Sequence, residues 1–203
     1  MGPQQRMHAV PVSGEPHHRL RMSNDIMRVY YVEMEPGEST LLHSHEHPYA
    51  TLVIDDSEIE NVAADGSDCE ENYDAGEVFV APAGSVHTIT NLAELPFRNY
   101  TIALLREHTV AKPSSLMRLE RDHQANILVR APHANIAQAR LGPGEEIVLI
   151  GDMLTVLMNS AEVEVYSVEG DQVLHDAEQF VFTTGITKLK SRSDAALTSL
   201  EIV

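Results

Sequence analysis

The sequence predicts an all-β protein made of two related barrels, and three observations carry that expectation. Short apolar runs recur at close spacing, Gly/Pro turns separate them, and two landmark pairs repeat roughly a hundred residues apart. In the first half the runs are Met27 to Met34, Thr51 to Ile54, Val78 to Pro82 and Tyr100 to Leu105. In the second they are Ile147 to Ile150, Val163 to Val168 and Gln179 to Phe182. Pro36-Gly37, Ala75-Gly76, Ala83-Gly84, Gly142-Pro143-Gly144, Gly170-Asp171 and Gly185 punctuate them. Strands broken by such turns, with few helical stretches, belong to a sandwich or a closed barrel. The polar segment Arg106 to Arg118, with Lys112-Pro113-Ser114-Ser115, lacks strand alternation and is the expected linker. It divides the chain into domains 1–110 and 111–203. Glu35-Pro36-Gly37-Glu38 returns as Gly142-Pro143-Gly144-Glu145, and Val78-Phe79-Val80 with Gly84 returns as Gln179-Phe180-Val181 with Gly185. The offsets, 107 from Pro36 to Pro143 and 101 from Phe79 to Phe180, indicate a duplicated strand meander.

Charge narrows the function. The 203 residues carry 31 acidic against 14 basic side chains, a formal net charge of -17, which repels nucleic acid and anionic membranes. Cys69 is the single cysteine, so no intrachain disulfide forms, which suits a reducing compartment. Met1 to His18 lacks the apolar run of a signal peptide, and no segment has the roughly 18 apolar residues of a membrane span. A cytoplasmic protein that takes a small molecule, as a monomer or homodimer, is the expectation.

Eleven histidines are many for this length. His8, His17, His18, His108, His123, His133 and His175 stand in polar or chain-end contexts and read as solvated surface residues. The rest cluster. In Leu41-Leu42-His43-Ser44-His45-Glu46-His47-Pro48-Tyr49 the odd positions share one face of an extended segment, and Pro48 biases His47 toward the same extended backbone. Imidazoles on one face need water or a metal to satisfy them, and rings at i and i+2 reach one ion at about 2.0 to 2.1 Å. A third histidine, His87, follows the Pro82-Ala83-Gly84 turn at the start of another strand.

These residues resemble the cupin superfamily. Its first motif, G-x5-H-x-H-x3-E-x6-G, is met by Gly37, His43 and His45, with Tyr49 where glutamate belongs and Asp56 where the last glycine belongs. Its second, G-x5-P-x-G-x2-H-x3-N, is met throughout by Gly76, Pro82, Gly84, His87 and Asn91. The resemblance implies cupin-type jelly-roll barrels and one divalent metal held by His43, His45 and His87.

The departures shape the expected chemistry. Without the glutamate, three neutral imidazoles leave the full divalent charge on the site, which makes the metal more Lewis-acidic and favours an anionic substrate. Three-histidine cupins that resemble this pattern include Fe(II) dioxygenases acting on thiols, diketones or hydroxylated aromatic acids. A non-haem iron dioxygenase is therefore the first expectation, with zinc, nickel or manganese as alternative metals. A Lewis-acid isomerase, cyclase or lyase, or a non-catalytic barrel stabilised by a saturated four-histidine site, are the alternatives. Tyr49 faces the interior as a proton donor or as packing, and His47 is a pocket residue, a fourth ligand or a surface group. Thr51 and Ile89 line the pocket, while Glu46 faces solvent. In the second half the offsets set Ile150 and Asp152 against His43 and His45, and Lys188 against His87, so the second barrel has no metal site. Lys188-Leu189-Lys190 reads as a solvated basic strand end.

Overall fold

A computed structural model describes residues 8–106, 126–130 and 134–202, with the backbone alone described for 126–130. The expected linker beyond Arg106, together with His108, His123 and His133, lies outside the described residues. The chain divides into two compact units, Met1–Arg106 and Glu107–Val203. No described helix is long and apolar enough to cross a membrane.

The first unit contains β1 (Val10–Pro11), a 3-10 turn (Val12–Gly14), β2 (His18–Ser23), β3 (Met27–Met34), β4 (His43–Ser44) and β5 (Tyr49–Val53). It continues with β6 (Ser57–Ala63), β7 (Asp68–Tyr73), β8 (Val78–Ala81), β9 (Val86–Asn91) and β10 (Phe97–Leu104). Two five-stranded sheets result, ordered β1-β4-β9-β6-β7 and β2-β3-β10-β5-β8. Central strands read as continuous apolar runs because both faces are covered. All five residues of β5 are buried, as are the last six of β10.

The acidic stretch around Cys69, which sequence composition left without a strand, forms β7 and pairs antiparallel with β6. Its alternation is hidden because the outward positions are acidic and the hairpin end is exposed. Asn91 closes the second motif structurally. Its amide donates to the Met34 and Leu95 carbonyls at 3.1 and 2.9 Å and accepts from the Ala93 N–H, fully buried.

The second unit contains β11 (Asn126–Arg130), β12 (Ala134–Leu141), β13 (Glu146–Ile150), β14 (Met153–Leu157), β15 (Val163–Tyr166), β16 (Gln172–Leu174), β17 (Phe180–Thr183), β18 (Ile186–Ser191) and β19 (Ala195–Ile202). Its sheets run β11-β12-β19-β14-β17 and β13-β18-β15-β16. Strand for strand this is the order of the first unit, with no counterpart of β1 among the described residues, so the duplication extends to topology. Gly37 N–H donates to the Asn91 carbonyl, as Gly144 N–H does to that of Ser191. Gly76 N–H donates to Val53 as Glu178 N–H does to Leu157. Gly76 has φ +85°, and Glu178 keeps the same left-handed turn at φ +71°, a conformation that costs a side chain about 1 kcal/mol.

The ladders correct the sequence alignment by one residue. In the first unit Ser39 pairs with Thr90 and His43 with His87, four steps against three, an irregularity the second unit lacks. Glu146 pairs there with Lys190 and Leu149 with Thr187, so Leu149 and Thr187, not Ile150 and Lys188, stand where His43 and His87 stand. Lys188 and Lys190 point outward and share Glu146, at 2.6 and 3.4 Å.

The second unit's interior is an apolar cluster that includes Leu149, Met153, Val163, Val165, Leu174, Leu189 and Leu197. Truncating a side chain there removes transfer energy and leaves a void. Leu189→Ala is expected to cost about 2–5 kcal/mol in denaturant unfolding; a loss under about 1 kcal/mol would contradict a tightly packed second core.

Candidate metal centre

In the first unit the interior holds a cavity of about 330 Å³ beside an apolar cluster of Val32, Met34, Val53, Ile59 and Phe97. That size suits a small molecule. Four histidines converge on it. His43 of β4 and His87 of β9 are direct cross-strand neighbours, their ring centroids 4.7 Å apart. His45 lies just past β4, 5.1 Å from the His43 ring and 5.2 Å from the His87 ring, and its Nε2 is 3.2 Å from the Nε2 of His87. The fourth is His18, first residue of β2 in the opposite sheet, whose ring is 4.9 Å from that of His43.

His18 corrects the surface reading given by sequence context. Its side chain is only 5% exposed. One ring nitrogen from each of His18, His43 and His45 lies within 4.8 Å of the others. The reason is Glu15, a carboxylate with no exposed side-chain surface that sequence inspection passed over. It takes the Nδ1 of His18 at 2.7 Å and of His17 at 3.0 Å, and accepts from the backbone N–H groups of His17, His18 and Leu41. Burial pushes the Glu15 carboxyl up, but the hydrogen bonds from His18 and His17 outweigh it and hold it at about 2. A carboxylate on Nδ1 fixes the ring and turns Nε2 toward the cavity, the arrangement that commonly supports metal-bound histidines. His43 is aimed the same way, its Nδ1 2.9 Å from the Leu41 carbonyl. No local spacing signals the Glu15-His18 pair, because it belongs to a segment that packs against the barrel through β1.

His43–His47 is not one continuous face. Only His43 and Ser44 are in strand pairing, and the chain bends at Glu46-His47. Leu41 is accordingly 51% exposed, and Glu46 is exposed as expected. His47 is absent from the cavity wall and instead lines a shallow cleft with Pro11, Ser13 and Arg28, which corrects its assignment as a pocket residue. Tyr49 does line the cavity, 5% exposed, with its ring stacked on His45 at 3.8 Å. Burial pushes its phenol pKa up, so it stays protonated at neutral pH. Thr51 and Ile89 also line the wall.

The residues present fit a divalent metal. His45 Nδ1 is buried without a hydrogen-bond partner, and its Nε2 meets the like nitrogen of His87. His43 and His45 are buried, one ring nitrogen of each converges with one of His18, and His87 meets them at His45, a grouping that is costly alone and favourable around a cation. Burial, followed by the charge of neighbouring histidines, holds His43 and His87 at about 4 and His45 at about 2, so all three offer lone pairs at neutral pH.

Two predictions follow from this geometry. Glu15→Gln removes the anion that orients His18 and is expected to weaken metal binding about 10- to 100-fold in competition with a chelator; unchanged affinity would show that His18 is not a ligand. Unfolded histidines titrate near 6.5, whereas His43, His45 and His87 resist protonation until far lower pH. Protons therefore bind the unfolded chain first, and the metal-free protein loses up to about 1.4 kcal/mol per histidine per pH unit below 6.5. Its melting temperature falls between pH 7 and pH 5; a flat profile would contradict the buried neutral cluster.

No family model and no curated protein matches the chain. Solved structures do. AerE from Microcystis aeruginosa superposes with TM-score 0.67 at 16% identity, covering 91% of this chain and 90% of that one. A variant of salicylate 1,2-dioxygenase from Pseudoaminobacter salicylatoxidans, in complex with gentisate, gives 0.66 at 14% identity over 91% and 74%. A further structure of that dioxygenase, an adduct with gentisate, gives 0.63 at 13% over 87% and 68%. With two barrels of matching strand order and the histidine motifs in place, the chain has the cupin fold, twice over.

Proposed function

We propose that this protein is a metal-dependent enzyme acting on a small anionic molecule inside its first barrel, with the chemistry of a non-haem iron dioxygenase. The observation that carries the proposal is the convergence of His18, His43, His45 and His87 at the wall of a cavity large enough for a substrate. Burial holds His43, His45 and His87 neutral, so none of these three brings an anionic charge and that of a divalent ion is left for the substrate to neutralise. A six-coordinate ion held by these histidines would keep positions open for a small anion. Iron held there would supply a one-electron couple and Lewis acidity. The chain's own contribution is positioning. Glu15 and the Leu41 carbonyl fix two rings, and the apolar wall of Met34, Ile59, Phe79 and Phe97 keeps water from the bound molecule. Tyr49, protonated and pressed on His45, offers a hydroxyl at the cavity wall.

The test combines metal analysis with oxygen consumption. About one iron per chain is expected in the purified protein, lost in His43→Ala and His87→Ala, with oxygen uptake on anaerobic Fe(II) loading and addition of a panel of small organic acids. Zinc, nickel or manganese without oxygen uptake would replace this reading with a Lewis-acid isomerase or lyase. Metal content unchanged in both variants would overturn the site.

A further inference from the structure

The cavity has a second polar region beyond the converging histidine nitrogens, near enough to His87 for their charges to interact. Glu71 of β7 lines it together with Asn61 of β6 and Tyr73 of β7. The Glu71 carboxylate takes the Tyr73 hydroxyl on Oε2, and the Cys69 thiol at 3.1 Å and the Asn61 amide at 3.5 Å on Oε1. Among the described residues no lysine or arginine lines the cavity to neutralise it. A carboxylate offers about four lone-pair positions, and three are met by the chain.

The second barrel shows that the fold has no need of this carboxylate. Ile59 pairs with Asn91 and Glu71; at the same ladder positions Val163 pairs with Ser191 and Leu174. Leu174 therefore occupies the place of Glu71. Asn61, paired with Ile89, corresponds in the same way to Val165, paired with Leu189. Asn99, between Val32 and Val53 in its sheet, corresponds to Leu197 between Ala139 and Leu157. Leu174, Val165 and Leu197 all belong to the second unit's apolar core. One scaffold thus fills these positions with packing in one copy and with polar groups around a cavity in the other. A carboxylate partly withdrawn from water with no described lysine or arginine beside it is costly, and the duplicate rules out a requirement of the barrel itself as its reason.

We propose that Glu71, with Asn61 and Tyr73 beside it, receives a hydrogen-bond-donating group, hydroxyl or ammonium, of a small organic acid whose anionic end meets the metal. This names the substrate class of the proposed site and rests on the metal reading for its anionic end alone. The ligand spans two fixed charges of opposite sign, a divalent cation at the histidines and a carboxylate at Glu71. A plain carboxylic acid of the same length leaves the Glu71 position unmatched and strips its water, so the pocket discriminates against it.

The test is calorimetric titration of the metal-loaded protein with short straight-chain carboxylates that end in a methyl, hydroxyl or ammonium group, with metal content measured on the same samples. Wild type is expected to bind a hydroxyl- or ammonium-ended acid about tenfold or more tightly than the methyl-ended one, the step that one charge-assisted hydrogen bond provides. Glu71→Leu, which installs the second barrel's residue, is expected to abolish that preference while keeping its metal and melting temperature. Glu71→Gln distinguishes the donors, because it retains the hydroxyl and loses the ammonium preference. Equal binding of all three acids by wild type, or a preference that survives in Glu71→Leu, would overturn the proposal. A protein that takes up no metal yet prefers the donor-ended acids would overturn the proposed function and leave Glu71 as the recognition group.

Discussion

Four imidazoles are crowded into the wall of one barrel, and the arrangement of the first unit follows from satisfying them. Rings lie 4.7 to 5.1 Å from that of His43, and His43 and His45, 1% and 3% exposed, have lost their water, so the rings cannot all be protonated. Burial, then mutual repulsion, keeps His45 neutral, which leaves converging lone pairs without donors. Glu15 and the Leu41 carbonyl hold the outer nitrogens, so the inner ones face a common point. A cation at that point resolves the conflict that packing alone leaves. The same constraint explains why β1 and β2 wrap the barrel as they do, since Val10 pairs with His43 and His18 pairs with Val32, bringing both sheets to the site.

The second unit is the same topology relieved of that constraint. Leu149 and Thr187 replace the His43–His87 pair, and Met153 stands at the register of Tyr49. Without the histidine pair, its interior closes into a packed apolar cluster. Comparison of two copies within one chain separates what the barrel needs from what the site needs. The Gly37 and Gly144 turns, and the left-handed positions at Gly76 and Glu178, are common to both and belong to the barrel. The cavity-lining His43, His87 and Glu71 are replaced in the second copy by Leu149, Thr187 and Leu174.

Much of this was legible in the sequence because motif spacing records turns that the barrel repeats. His43, His45 and His87 are separated by the Pro82-Ala83-Gly84 turn that sets one strand back against another, so sequence distance encodes spatial contact. Tyr49, Thr51 and Ile89 followed from strand phase. His18 and Glu15 did not, because their contact with the site comes from a segment paired to β3 and β4, and no periodicity within Glu15 to His18 reports that pairing. Phase also failed at His47, where the chain leaves the strand after two residues and bends. Glu71 escaped notice because acidic neighbours Glu70 and Asp74 mask an inward carboxylate in a stretch that composition reads as surface. Alignment by landmark offsets erred by one at Ile150, where a single extra residue in the first barrel shifts the ladder.

The most direct test of the account is X-ray absorption at the metal edge of the loaded wild-type protein, which counts the imidazole rings around the ion. Four rings with nitrogens at about 2.0 to 2.2 Å are expected, one each from His18, His43, His45 and His87. Two rings or fewer, with the remainder oxygen from carboxylates or water, would contradict the claim that the clustered imidazoles exist to hold a metal.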